Sequence, residues 1–269
     1  MPKQRITYHK NLTAAKGAGA FQSAWLAPGF PGAGVASPVY TAGSGYTCSS
    51  ATDGAIRFSN ASVKNSLAKW MACSSVQCTL NIYDRLWSCS GMGFAASTYT
   101  VTTPGSLPAR ITDDGIGCEL WVENFVAAGA ASGTLTATYA ESTTGTSRTG
   151  VISAVVSAPV AGQMQRVPLN VASTGIRSLT SVETSATWTS GTFGMSIMKL
   201  VAEVPIVSNS FSTLLDYAQC GLASIPDDAC LMFQSQQVSA AAIIINGSLH
   251  IIDSAVTSVD DIVTALAGG

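Results

Sequence analysis

From about residue 55 the chain alternates short apolar or period-two runs with turn-forming clusters. The runs are Ala55–Phe58, Thr79–Trp87, Cys118–Phe125, Thr134–Tyr139, Thr149–Val156, Gln165–Val171, Ile176–Thr187 and Thr192–Val201. Most are of strand length, and no helical repeat separates them, so the pattern predicts an all-β body rather than βαβ units. In Thr134–Tyr139 the alternation places Leu135, Ala137 and Tyr139 on one face and three threonines on the other. The Ser/Thr/Gly-rich stretch from Glu141 to Gly150 reads as a hairpin connection, and Ser185 to Thr192 as a second. After Pro205, Phe211–Tyr217 reads as a helical turn or a strand. Ala229–Phe233, Ala240–Ile245 and Ser248–Ile252 read as three further strands. The expected fold is mainly β: an antiparallel β-sandwich or jelly-roll-like body with an extended N-terminal arm and a short C-terminal helix.

The ends follow a different pattern. Residues 9–26 mix helix-favouring Ala14, Ala15, Ala18 and Ala20 with Gly17 and Gly19, which predicts an arm with little stability of its own. Two prolines and three glycines in Ala27–Gly34 then stop regular structure. Ser258 is placed to cap a helix over Val259–Leu266, with Asp260 and Asp261 in its first turn. The expected organisation is an arm and linker over 1–35, a β body over 36–253 with a possible subdivision near 205, and a short helical tail over 254–269.

Composition changes the picture at the surface. Only 10% of the 269 residues are charged, against roughly 25% in typical soluble chains, while 47% are apolar. The 61 Ser and Thr supply most of the polar surface, which desolvates at lower cost than charge. Such a surface suits a chain covered by neighbours, and equally a secreted low-charge β domain. The net charge of −2 gives no basic stripe for nucleic acid. The distribution is polar all the same: Lys3, Arg5, Lys10 and Lys16 occupy residues 1–52 without an acid, whereas residues 200–269 hold seven acids and no Lys or Arg. These ends are complementary, within one subunit or between neighbours. No run approaches the ~18 apolar residues of a membrane-spanning helix.

Candidate chemistry is sparse. The first residues lack the apolar core of a signal peptide, so the seven cysteines are expected to be reduced and mostly buried, and the sequons at Asn11, Asn60 and Asn246 carry no weight. No Cys-x-x-Cys pair occurs, although Cys73, Cys78, Cys89 and Cys118 could meet in a sheet. His9 and His250 are the two histidines, and no Gly-x-Ser-x-Gly elbow accompanies them. Adjacent acids at 113–114, 227–228 and 260–261 point to opposite strand faces and read as turn or cap residues. Asp113 or Asp114 in a hydrolase, and Trp121, Trp188 and Tyr139 as a glycan platform, are the competing functional readings. Neither cofactor nor metal is expected, and the chain reads as a non-enzyme.

The most unusual run is Leu80–Trp87, which sets Asp84 and Arg85 inside an apolar strand between Tyr83 and Trp87. It predicts a partly buried ion pair or an Arg stacked on a ring, fixing register or an interface; an edge strand with solvated charges is the alternative.

The run Leu80–Gly91, followed by Leu107-Pro108-Ala109-Arg110, resembles a pattern in structural proteins of tailed-phage morphogenesis modules. Thr138-Tyr139, Arg148-Thr149, Gly175-Ile176-Arg177-Ser178 and Ala229-Cys230-Leu231-Met232-Phe233 follow in similar order, so the resemblance spans roughly residues 20–252. It implies a virion component, plausibly a capsid decoration or cement protein, whose partners are the major capsid protein or other virion proteins. It brings no catalytic residues. The candidate contact residues are Lys3, Arg5, Lys10, Lys16, Tyr83, Asp84, Arg85, Trp87 and Arg110, in a homo-oligomer for which a trimer is favoured.

Overall fold

The computed structural model describes residues 3–12, 17–58, 65–101, 107–131, 133–187, 190–209 and 212–253. The strands, in chain order, are β1 (Lys3–Leu12), β2 (Phe21–Ser23), β3 (Gly29–Phe30), β4 (Asn65–Ser74), β5 (Cys78–Gly93), β6 (Ser97–Thr100), β7 (Cys118–Val126), β8 (Leu135–Glu141), β9 (Ser147–Ile152), β10 (Gln163–Val167), β11 (Ile176–Thr184), β12 (Thr192–Ile206), β13 (Thr213–Leu215), β14 (Ser224–Ile225), β15 (Leu231–Gln237) and β16 (Ile243–Asp253). Among the described residues there is one short helix, α1 (Tyr217–Cys220), with a capping box from Asp216 and Gln219.

The chain is mainly β and its ladders are antiparallel. Its centre is a closed barrel in the order β10-β2-β15-β5-β12-β7. One sheet, β13-β4-β16-β1-β3 with β14 beside β4, packs on the barrel through Tyr8, Leu67, Trp70, Ile245 and Leu249 against Leu80, Ile82, Val204 and Phe233. The other, β6-β11-β8-β9, packs on it through Tyr99, Leu135, Tyr139, Leu179 and Val182 against Leu86, Trp87, Leu120, Phe193 and Ile197. The body thus has a barrel with a sheet on each of two sides, where the sequence pattern predicted a sandwich. The closure depends on β10, which the run Gln165–Val171 overlaps, and on β2, whose three residues leave little periodic signal.

The two longest strands explain how one barrel serves two cores. β5 has 16 residues and β12 has 15, so each runs roughly 50 Å and crosses the whole body. The Cys78–Ile82 end of β5 faces the first sheet and the Leu86–Met92 end the second. Register shifts near Phe193, Ile197 and Leu200 bend the pair between these duties. Gly194 marks one of them: a Cβ there would stand 2.0 Å from the Cys89 carbonyl oxygen.

Several expectations are corrected. Residues 3–12, expected within a weakly ordered arm, form β1, paired along ten residues with β16. Ile6, Tyr8, Lys10 and Leu12 alternate toward the core, and the Tyr8 ring packs 4.2 Å from that of Phe233. Thr149–Val156 shortens to β9, and Ala55–Phe58 makes only an isolated bridge, Ile56 to Leu231. The connection from Ser185 to Thr192 is not a hairpin, because β11 and β12 belong to different layers. Ile243–Ile245, the end of the run read as Ala240–Ile245, and Ser248–Ile252 belong to the single strand β16; a glycine joins them at 247 because a Cβ there would meet the Met71 carbonyl oxygen at 1.9 Å. The predicted terminal helix lies outside the described residues.

Candidate functional site

The strand singled out by sequence, β5, carries a ladder of buried charge. Adjacent residues on a strand face opposite ways, and Asp84 and Arg85 accordingly take different partners. Asp84, on one face, accepts two hydrogen bonds from Arg110, Nε at 2.8 Å and Nη2 at 2.9 Å, and a third from the Cys230 backbone N–H at 2.8 Å. Arg110 also donates to the Arg85 carbonyl oxygen at 3.3 Å, which ties its loop to β5. Both side chains are almost fully buried.

Arg85, on the other face, points into the barrel, where a cluster draws Tyr83, Trp121, Met164, Met198 and Met232 from five strands and Phe21 from the sixth. Its Nη1 lies 2.7 Å from Glu123 Oε2, with no exposed area on either side chain. The guanidinium sits 4.7 Å from the Trp25 ring centroid, Nη2 donates to Ser37 Oγ at 3.3 Å and Nη1 to Met232 Sδ at 3.6 Å. Burial alone would push this guanidinium down, but the Glu123 carboxylate together with the Cys48 and Cys230 sulfurs outweighs it and the net shift is upward. Arg85 Nε and both Glu123 carboxylate oxygens lack an aligned hydrogen-bond partner among the described residues, so the pair meets as a close ionic contact and not as a fork.

Toward an end of the barrel, Glu119 gathers Tyr83 Oη and Trp121 Nε1, each at 3.0 Å on Oε2, and Arg166 at 2.9 Å on Oε1. Burial, and then the neighbouring Glu119, push the Tyr83 phenol well above its ordinary range. Beside the Asp84–Arg110 pair lies a small cleft of about 180 Å³ lined in part by Asp113 and Lys199, which bond each other at 2.6 Å. Asp114 is held by Arg177 at 2.9 Å. These acids are occupied by bases.

Tyr83, Asp84, Arg85, Trp87 and Arg110 are therefore all buried inside the chain, with Trp87 in the core under the second sheet. Their burial is the condition under which the run would fix register. The basic N-terminal residues diverge. Arg5 is exposed on β1, Lys3 enters β1 through its backbone pairing with Ile252, and Lys16 lies outside the described residues. Lys10 is buried and donates to the carbonyl oxygens of Ala27 and Gly32, both at 3.0 Å, pinning the connection after β2 to β1. Trp121 and Tyr139 are buried too, which removes them as a glycan platform, and Trp188 is outside the described residues. Cys78 joins the core under the first sheet while Cys89 and Cys118 join the core under the second, so the four-cysteine cluster does not assemble. Among the described residues no group of three or more His, Cys, Asp or Glu side chains is placed to hold a metal ion.

Burial lowers the Lys10 pKa from 10.5 to about 8. Between those values the unfolded chain keeps a proton that the fold has shed, so raising pH through that window favours the fold. The urea midpoint of the wild type is expected to rise relative to Lys10→Met from pH 8 to 10.5, with the shared thiols and phenols cancelling between the two proteins. Parallel midpoints across that window would refute a buried ammonium.

Apolar groups, by contrast, stand outside. Phe30, Val35 and Val39 are each half exposed or more within ten residues of chain, and Phe30 borders a groove of about 270 Å³ that includes Ile6, Pro31, Ile56 and Arg57. Sequence reasoning read this stretch as a linker because of its Pro and Gly content, and its exposed apolar side chains were overlooked.

Comparison of the sequence with protein-family models and with curated proteins finds no match. Among solved structures, a crystal structure of the infectious bursal disease virus VP2 subviral particle aligns over 93% of this chain and 80% of that one, at 8% identity and a TM-score of 0.25. The Gt strain of the same virus aligns over the same shares at 10% identity and a TM-score of 0.21. Overlaps this slight carry no argument about what the present chain does.

Proposed function

We propose that the chain is a structural subunit of a tailed-phage particle, a capsid decoration or cement protein that stabilises the shell by bridging neighbouring subunits. The observation that carries this reading is where the charge has gone. The chain has 13 basic and 15 acidic residues, and Lys10, Asp84, Arg85, Arg110, Glu123 and Glu141 are withdrawn into the body. What remains outside is rich in Ser and Thr and interrupted by Phe30, Val35, Val39, Val171, Val207 and Val238. Surfaces of this kind desolvate at low cost, so several modest contacts with neighbours sum to stable attachment. The sequence resemblance supplies the partners, the major capsid protein or other virion proteins, and a virion location. A tail or neck subunit would use the same surface. The pairing of Asp113 with Lys199 and of Asp114 with Arg177 supports a role without catalysis.

Two measurements test it. In solution the purified chain is expected to show the mass of a closed homo-oligomer, a trimer in the favoured arrangement. In images of the assembled particle, density for a barrel flanked by two sheets is expected on the outer shell. A chain that stays monomeric at high concentration and leaves no density on the particle would sink the proposal; density on the tail would move it to the neck or tail.

A further inference from the structure

Two of the seven cysteines meet beside the buried ion pairs although they are far apart in sequence. β15 pairs with β5 up to Leu231, opposite Asp84, and the Arg85 N–H then bonds the Cys230 carbonyl oxygen at 2.9 Å. Beyond that point a different piece of chain takes over the same edge of β5. Ser88 N–H bonds the Tyr46 carbonyl oxygen at 2.8 Å, Thr47 bridges Trp87, and Cys48 N–H bonds the Leu86 carbonyl oxygen at 3.0 Å. Cys230 and Cys48 therefore sit end to end, opposite Arg85 and Leu86. That places their Cα atoms on the order of 4–6 Å apart, within the range of about 4.4–6.8 Å that a disulfide spans.

The side chains converge as well. Both belong to the buried cluster at the barrel interior, where Cys48 Sγ also lies 3.4 Å from Ser88 Oγ. The segments are braced from outside: Asp228 accepts from Ser50 Oγ at 2.7 Å and from its N–H at 3.1 Å, and Ile56 N–H bonds the Leu231 carbonyl oxygen at 2.9 Å. The geometry is set before any bond forms between the sulfurs. The neighbouring Cys230 thiol, followed by the charges of Arg85 and Arg110, favours a thiolate at Cys48 and holds its pKa below the usual thiol range, against the opposing effect of burial; Cys230 is pushed up in turn.

We propose that Cys48 and Cys230 are a preorganised dithiol that a disulfide oxidant, such as oxidised glutathione, converts into an intrachain disulfide. The Cys48 thiolate attacks one sulfur of the glutathione disulfide and expels a glutathione thiolate, leaving a mixed disulfide on Cys48. The Cys230 thiol then gives up its proton, its sulfur attacks Cys48 Sγ, and a second glutathione thiolate leaves. The S–S bond of the oxidant is broken and one is made in the protein, with two reduced glutathiones as the other product. Access comes with transient lifting of residues 46–48, which two backbone hydrogen bonds hold to β5. The bond would staple the start of β15 to a segment 182 positions earlier in the sequence and restrict the unfolded chain accordingly. A reducing compartment keeps the pair open, and an oxidising one closes it. This does not depend on the particle assignment.

The test uses the unmodified full chain. Folded protein is equilibrated with oxidised glutathione, and a second sample is refolded from denaturant in a glutathione redox buffer so that burial cannot block the reaction. Both are then unfolded, alkylated with N-ethylmaleimide, weighed intact and digested. The expected product carries five alkyl groups in place of seven, is otherwise two hydrogens lighter, yields one linked peptide pair containing residues 48 and 230, and has a higher urea midpoint that dithiothreitol reverses. Cys48→Ser and Cys230→Ser are each expected to abolish the linked pair. Seven alkylated cysteines in both samples, or a linkage that involves any other cysteine, would overturn the proposal.

Discussion

Replacing Glu123 with leucine is expected to destabilise the fold by about 3–5 kcal/mol, because it leaves the Arg85 guanidinium charged inside the barrel with no counterion. The loss should appear as a lower urea midpoint with little change in slope, since the surface exposed on unfolding hardly alters. The companion variant separates the cost of an orphaned charge from the value of the pair. In Arg85→Met combined with Glu123→Leu, both charges are gone and the Met232, Trp25 and Tyr83 surroundings accept an apolar side chain, so most of the stability should return. A Glu123→Leu protein within about 1 kcal/mol of wild type would mean that Arg85 does not depend on that carboxylate, and that Trp25 and Ser37 suffice. Asp84 provides a control: removing it strands Arg110 nearer the surface, where water relieves part of the penalty.

The second large effect is expected at Trp70. Its indole is fully buried, donates from Nε1 to Tyr8 Oη at 2.9 Å and stacks on Phe233 at 6.3 Å, while Tyr8 Oη donates in turn to the Met71 carbonyl oxygen at 3.2 Å. One side chain thereby joins β4, β1 and the barrel strand β15. Trp70→Ala is expected to cost about 3–5 kcal/mol through the cavity and lost burial. Trp70→Phe, which keeps most of the packing and removes only the indole donor, should cost closer to ~1 kcal/mol. Thermal unfolding followed by near-ultraviolet circular dichroism reads both. Equal costs for the two variants would mean that the hydrogen bond outweighs the packing.

These residues also show what the sequence disclosed. The antiparallel β class follows from runs such as Leu135, Ala137 and Tyr139, whose alternation survives intact because one face of β8 is core and the other half solvated. The Asp84-Arg85 run was legible as unusual, since charge inside an apolar strand requires compensation. Its partners were not, because Glu123 lies on β7 and Arg110 in a loop, and no local spacing connects them to β5. The strand β1 was missed for a related reason. Ile6, Tyr8 and Leu12 alternate properly, but Lys10 occupies an inward position, where a charge reads as solvent-facing until the Ala27 and Gly32 carbonyls are seen to receive it. Closure of the barrel was illegible because β2, three residues long, is too short to carry a pattern, although the run Gln165–Val171 overlaps β10.

The pairing of β1 with β16 has a kinetic consequence. Lys3 lies against Ile252 and Leu12 against Ile243, so β1 leaves the ribosome long before its partner and meets it only after all of the intervening chain has been made. Until then Ile6, Tyr8 and Leu12 have no sheet to enter, and contacts of such long range are the slow step in β proteins. The nascent chain is therefore expected to acquire β8–β9 and the neighbouring β11 first, and the β1–β16 ladder last. A translation product interrupted before β16 would thus leave an apolar strand without its partner.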